Sequence, residues 1–354
     1  MDTLRYVGMD VHKECIVIVV LNARGKVVME SVIETKAQTV RDFLQGVRGT
    51  GHVTFEEGTP AAWRYDVLRP QVAKVIVCDP RKNKLLLAGN KEDRIDAHKL
   101  ALLLRAGLLT AVYHGEQGTR TLKELADSYE GLVQDCTRVK NRLKALYRGR
   151  ALACAGEGVY HRAKGQAWLP HLSEPGAHYR AERLYQELDA LTPLRDEVRT
   201  AMVAESRKHP AQRVLQGISL LGPVRVAQLS ATIDTPHRFR TKRQLWAYSG
   251  LAVVTHSSAD YRIVHGEIRR TARSHTTRGL TLHYNHTLKE VLKGAARMAS
   301  GRGGFKPDYE ARVRQGLRPA MARLTLARKI AAITLAIWKK GEAFDPKLVV
   351  PQAA

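Results

Sequence analysis

Cysteine is scarce in this sequence, acids are outnumbered and no apolar run is long, and each shortage excludes something. The 354 residues include four cysteines, Cys15, Cys78, Cys136 and Cys154. They form no CxxC pair and have no histidine at finger spacing, which argues against zinc and against a disulfide framework. Reduced, mostly buried thiols are expected. The most apolar late stretch, KIAAITLAIWKK, is about half the length a membrane-spanning helix needs. The opening MDTLRYVGMDVHK puts an acid and a histidine where a secretory signal carries its apolar run. A cytosolic protein without membrane partners follows as the expectation.

Acidic residues number 34 against 58 Lys plus Arg, giving a formal net charge of +24 and a pI near 10.1. An excess of that size points to a polyanionic partner, because neutralising phosphates releases counterions. Nucleic acid is favoured over an anionic membrane. A hydrophobic content of 44% over 354 residues allows two or three domains with real cores and rules out a disordered basic tail.

Residues 4 to 34 read as three strands: RYVGMD ending at an acid, the continuous apolar run CIVIVVLN, and KVVMESVIE after the turn NARG. A helix over 37 to 48, the strand HVTFEE, a helix near 60 to 69, the strand AKVIVCD and a helix over 93 to 107 complete the region. Strands followed by alternating helices and strands predict a mixed sheet in an α/β domain. Sheets of that kind gather functional groups at strand ends.

The acids fall where such a sheet can use them. Asp10 ends the first strand, Glu56 and Glu57 end the fourth, and KEDRIDAHKL places Asp93 and Asp96 three apart on one face of an opening helix. Gathered carboxylates raise one another's pKa unless a hard cation relieves them, and Mg²⁺ takes oxygen ligands of this kind. Two such ions about 4 Å apart can activate an attacking oxygen and steady a leaving one in phosphodiester chemistry. Taken singly, each acid has an ordinary explanation: the helix dipole favours Asp93 and Asp96, with Lys91, Arg94 and Lys99 nearby to neutralise them. His12 and His98 lie close to these acids and read as packing or phosphate neighbours. His283 and His286 share a helix face with no further ligand at matching spacing, so no zinc is expected.

The segments YVGMDVHKECIVIVVLNARGKVV, FEEGT and KEDRIDAHKLALLL together resemble the N-terminal domain of the DEDD transposases of the IS110 insertion-sequence family, which is similar to the RuvC resolvase fold. The resemblance carries the four family acids to Asp10, Glu56, Asp93 and Asp96. Glu57 stays open as an alternative to Glu56, because EEGTP stands where many members have one Glu. Alternation along a strand sends the two side chains to opposite faces.

From about residue 117 the pattern turns to long charged helices, TRTLKELADSYEGLVQDCTRVKNRLKALYRGRALA and, after the break SEPGAH, YRAERLYQELDALTPLRDEVRTAMVAESRK. Two such helices make a coiled-coil hairpin or dimerisation arm, or else pack on their own domain. Beyond them, GISLLGPVRVAQL has a glycine at a tight turn and a proline able to start a helix, as in hairpins that bind phosphate through backbone N–H groups. Then comes a basic stretch holding Arg238, Arg240, Lys242, Arg243, Arg262, Arg269, Arg270 and Arg273, with Trp246, Tyr248 and Tyr261 interleaved. That mixture suits backbone contact with base stacking, with burial in a core as the alternative for Trp246 and Tyr248 and the favoured reading for Trp246.

AYSGLAVVTHSSADYR followed by GEIRRTAR resembles the C-terminal domain of the same family, whose corresponding segment carries a serine nucleophile. The match falls on Ser258, with Ser257 as the alternative. Ala259 and Ala272 replace usual glycines, and Ala259 disfavours the positive φ that glycine would allow in that loop.

The resemblance therefore implies an α/β RNase H-like (RuvC-like) catalytic domain over 1–116, a helical coiled-coil or dimerisation arm over 117–208, a mainly α C-terminal serine domain over 209–345 and a tail over 346–354. It implies a DNA recombinase of bacterial cytoplasm and nucleoid, working as a homodimer or tetramer with Mg²⁺ at the acids, two ions being expected. A bridge RNA would pair with donor and target DNA. In relatives the acids of one subunit act with the serine of a neighbour. A RuvC-like junction nuclease using water, a Piv-type DNA invertase, and a nucleic-acid binding protein whose acids merely cap helices remain as alternatives.

Overall fold

The computed structural model describes residues 4–83, 92–115, 119–160, 167–218, 220–256, 261–270 and 276–345. The chain divides into two compact units, Met1–Glu116 and Gln117–Ala354.

In the first unit β1 (Leu4–Val11), β2 (Cys15–Asn22) and β3 (Val27–Glu34) run as an antiparallel meander. Next follow α1 (Ala37–Gly46), β4 (Thr50–Glu56), α2 (Ala61–Leu68), β5 (Lys74–Cys78) and α3 (Asp93–Ala106). The five-stranded sheet has the order β3-β2-β1-β4-β5, with β1, β4 and β5 parallel. This is the mixed sheet the strand pattern predicts. The unbroken apolar run of β2 has a physical reason, since helices cover both faces. Ile16, Ile18 and Val20 pack with Val40, Leu44, Val67 and Leu68 on one side. Val19 and Leu21 pack with Ala97 and Ala101 of α3 on the other.

One residue sets how closely α3 approaches. A Cβ on Gly8 would stand 2.1 Å from the Ala97 carbonyl oxygen and 2.6 Å from the Ala101 nitrogen. Glycine alone lets the helix lie directly on β1.

The second unit opens with two long helices, α4 (Arg120–Arg148) and α5 (Pro175–Ser206). Shorter helices follow: α6 (Pro210–Leu215), α7 (Pro223–Ile233), α8 (Lys242–Tyr248), α9 (His286–Gly301), α10 (Lys306–Arg314) and α11 (Pro319–Lys340). Between α8 and α9 lie two antiparallel ribbons, β6 (Val253–His256) with β9 (Thr276–Leu280), and β7 (Tyr261–Val264) with β8 (Glu267–Arg270). The region is mostly helical, as expected, with these ribbons as its β component.

The long helices bury a shared stripe that includes Val139, Leu143, Leu146, Ala181, Leu184 and Leu188. Leu122, Ala126 and Met202 instead pack against Ala227 and Ala231 of α7. The pair is thus a helical hairpin anchored on its own unit at one end. The break expected at SEPGAH is shorter than its composition suggests, because Pro175 already occupies the first helical turn, where its missing N–H costs nothing. The stretch KIAAITLAIWKK lies in α11, which buries Leu326, Ile330 and Leu335 in the main core of this unit. Among the described residues no helix is long and apolar enough to cross a membrane.

Candidate metal centre and nucleic-acid surface

Asp10 sits near the C-terminal end of β1 and Glu56 at the end of β4, and these strands pair in parallel with Gly8 opposite Thr54 and Met9 opposite Phe55. Continuing that register one step sets Asp10 beside Glu56. Alternation puts Gly8 and Asp10 on the face that α3 covers. Asp93 and Asp96 occupy the first turn of that helix, where the backbone N–H groups favour negative charge. Sheet ends and helix start thereby bring four acids, separated by up to 86 positions in the sequence, to one edge.

Their proton affinities register burial first and crowding second. Burial raises the Asp10 carboxyl above the ordinary carboxylate range; His12 opposes the rise, and Asp93 and Asp96 add to it. Glu56 is raised by desolvation at the strand end and then by the charges of Asp10 and Asp96. Mutual repulsion of this kind is what a hard dication relieves, so the donor set fits one. Lys99 neutralises part of it, its Nζ standing 3.2 Å from Asp96 Oδ1. Arg94 turns away to Glu30 at 2.6 Å, and Lys91 lies outside the described residues.

Glu57 faces a different partner. Its N–H donates to the Cys78 carbonyl at 2.9 Å, and its carboxylate meets His114 Nε2 at 2.7 Å, with the His114 ring stacked on Tyr65. His12 is the residue that spacing undervalued. Its Nε2 stands 3.3 Å from Asp10 Oδ2 and 3.3 Å from Asp93 Oδ2. Donor atoms of Asp10, His12 and Asp93 all lie within 4.8 Å of one another. The signal was present in the chain, since His12 follows Asp10 by two, the spacing that keeps side chains on one face of an extended segment. Cys78, buried under α3, has its thiol pushed up to about 12, chiefly by desolvation and then by Glu56. It is chemically quiet.

In the second unit the basic stretch divides by role. Arg238 donates from Nη1 to the Thr232 carbonyl at 3.1 Å and lies 4.6 Å above the Tyr248 ring, which ties it to the end of α7. Arg240, Lys242 and Arg243 are exposed at the start of α8. Trp246 is half-buried and donates Nε1–H to the Arg328 carbonyl, so it supports the core. Tyr248 packs against the same core. On the β7–β8 ribbon Tyr261 is exposed, and Arg269 pairs with Glu267 at 3.1 Å. Arg262 and Arg270 belong to these strands by backbone pairing. Ser257, Ser258 and Arg273 lie outside the described residues. The expected start of α7 is present, with Gly222 before Pro223 in its first turn, and the Leu220 carbonyl of the preceding loop accepts a bond from Arg225.

A mixed sheet of this order with acids at its parallel strand ends is consistent with an RNase H-like domain, a fold used for cutting nucleic-acid backbones. Residues 7–149 match the DEDD transposase model of the IS110 group, and residues 212–314 match the Transposase IS116/IS110/IS902 family model. The two matches occur in order and together cover more than half the chain, and the chain belongs to the IS110 family of transposases. Transposases cut and rejoin DNA, which makes DNA the partner of this basic protein. No curated protein matches the sequence.

Proposed function

We propose that this chain is the recombinase of an insertion sequence, with Asp10, Glu56, Asp93 and Asp96 holding Mg²⁺ and Ser258 acting as nucleophile. The observation that carries the reading is the placement of Asp10 and Glu56 at the adjoining ends of parallel strands, with Asp93 and Asp96 in the first turn of α3. Held by these four carboxylates, Mg²⁺ would supply charge neutralisation for the phosphate.

The chain's own groups do the rest. Ser258 Oγ forms a bond to phosphorus, losing its proton as the bond to the leaving deoxyribose oxygen breaks and that oxygen gains one. Rejoining reverses the exchange with a different deoxyribose hydroxyl. A serine hydroxyl is weak at its free pKa, so arginines such as Arg262, Arg269 and Arg270 are assigned to the charge developing on the phosphate. Arg240, Lys242, Arg243 and Arg273 are assigned to the DNA backbone away from the reacting phosphate, and Arg238 supports the segment that carries Arg240, Lys242 and Arg243. Residues 1–116 form the acidic catalytic domain, 117–208 the assembly arm of a homodimer or tetramer, and 209–345 the serine domain. A bridge RNA supplies sequence recognition, for which the +24 charge leaves ample capacity.

The decisive experiment traps the intermediate. A denatured reaction on suicide DNA substrates should contain DNA attached to the protein, with mass spectrometry locating it on Ser258 and not Ser257. Ser258→Ala should bind DNA without strand exchange. Metal-dependent cutting without an adduct, retained in Ser258→Ala, would make water the nucleophile and the protein a RuvC-like nuclease. Guidance is tested separately: ribonuclease treatment should abolish sequence-specific recombination, and its survival would remove the RNA from the account.

A further inference from the structure

The four family acids offer only oxygen, yet the tightest group of donor atoms at this edge includes a nitrogen. His12 leaves β1 at the start of the turn to β2, and its backbone is held at both ends. Its N–H donates to the Cys15 carbonyl at 2.9 Å, and its carbonyl accepts the Thr35 hydroxyl at 3.0 Å. With the main chain fixed, the imidazole extends between a strand end and the start of α3, and Nε2 reaches an oxygen of Asp10 and one of Asp93 at 3.3 Å each.

Those spacings match coordination geometry. Ligands at right angles on a shell of about 2.2 Å stand about 3.1 Å apart, and ligands opposite each other about 4.4 Å. Both His12 edges are close to the first value. The third edge, from Asp10 to Asp93, lies within 4.8 Å, so closing on an ion needs adjustments of a few tenths of an ångström. The Asp93 side chain is 60% exposed and that of His12 43%, which leaves them free to make that adjustment and leaves room for water or a phosphate oxygen on the open side.

We propose that His12 is a direct metal ligand through Nε2, making the Asp10–His12–Asp93 position a mixed nitrogen and oxygen site that prefers Mn²⁺ to Mg²⁺. The chemical reason is ligand softness. Mn²⁺ shares the taste of Mg²⁺ for oxygen, but Mg²⁺ holds its octahedral oxygen and water shell more strictly, whereas Mn²⁺ is a first-row transition ion, so a nitrogen in the set costs Mg²⁺ more and shifts selectivity toward Mn²⁺. This inference rests on the proposed metal site and adds a ligand and a selectivity to it.

The test is spectroscopic and needs no turnover. The full-length protein, freed of metal with a chelator, is titrated with Mn²⁺ and separately with Mg²⁺, and the Mn²⁺ complex is examined by pulsed electron paramagnetic resonance for coupling to ¹⁴N. The parent should bind Mn²⁺ at least about tenfold more tightly than Mg²⁺ and show a nitrogen coupling. His12→Gln should lose the coupling and about tenfold in Mn²⁺ affinity, at least the loss expected when a supporting group of a metal site is removed, with Mg²⁺ affinity little changed. Asp10→Asn should lose Mn²⁺ binding, and circular dichroism of both variants checks that they fold. Mn²⁺ bound at Asp10 without nitrogen coupling, or coupling that persists in His12→Gln, overturns the role of His12 and leaves the carboxylate site standing. Failure of the parent to bind either ion removes both readings.

Discussion

Gly8 of β1 lies against the Ala97 carbonyl of α3 so closely that a methyl group placed on it would stand 2.1 Å from that oxygen. The contact sits two residues before Asp10 and one helical turn beyond Asp93, so it fixes the distance between the acids of strand and helix. Gly8→Ala should therefore push α3 outward, costing about 3 kcal/mol, at the upper end for an overpacked core. Thermal unfolding should show the loss, and Mn²⁺ or Mg²⁺ titration should show weakened binding even where the variant remains folded. Unchanged metal affinity and stability would mean that the helix is not held by this contact.

The raised carboxyls give the metal-free protein a signed pH dependence. Asp10 and Glu56 hold protons more firmly in the native chain than at their ordinary values of 3.8 and 4.5. Their contribution to stability is fully present below those values and is lost as pH rises through the higher native ones. Asp10→Asn removes a crowded charge at nearly constant shape, so in chelator near neutral pH it should melt higher than the parent, by roughly 2 °C. That advantage should vanish at pH 3, and added Mg²⁺ should stabilise the parent and not the variant. A lower melting point for Asp10→Asn at neutral pH would contradict the crowding.

Glu56 and Glu57 should separate cleanly in function. Glu56→Gln removes a carboxylate coupled to Asp10 and Asp96, and DNA cleavage should fall at least about a hundredfold, as for loss of an electrostatic catalytic group. Glu57→Gln loses its carboxylate contact with His114 and should retain most activity. Equal rates for the two variants would refute the assignment.

Asp308 carries a prediction about stability. Its carboxylate is 5% exposed and meets Arg312 Nε at 3.1 Å and Lys329 Nζ at 3.2 Å, joining α10 to α11. Asp308→Ala removes a nearly buried carboxylate that both cations meet and should cost about 2 kcal/mol in denaturant unfolding. A loss under about 1 kcal/mol, the worth of an exposed pair, would show that water reaches the cluster.

Binding to duplex DNA should weaken steeply with salt, with a log–log slope near −0.9 for each phosphate neutralised. Replacing Arg240, Lys242 and Arg243 by alanine should make that slope shallower, and an unchanged slope would place the contacts elsewhere. Arg238→Ala should instead lower stability, since its guanidinium holds the Thr232 carbonyl and the Tyr248 ring.

The order of strands and helices in the first unit, the acids that end them and the charge that demands a polyanion were all legible in the chain, because alternation, helical spacing and composition are local properties. So were the motifs of the family. Partners across the fold were not. Nothing local distinguishes Glu56, coupled to Asp10 and Asp96, from Glu57, paired with His114 from the far side of the sheet. Nor does spacing reveal that Arg94 chooses Glu30 while Lys99 keeps Asp96, or that His12 reaches a carboxylate 81 positions away. Those choices depend on how deeply α3 settles on β1, and that depth is set by backbone contact at Gly8. The sequence determined which donors this protein possesses; packing decided which of them share an edge, since a few ångströms of helix position separate a ligand from a neighbour.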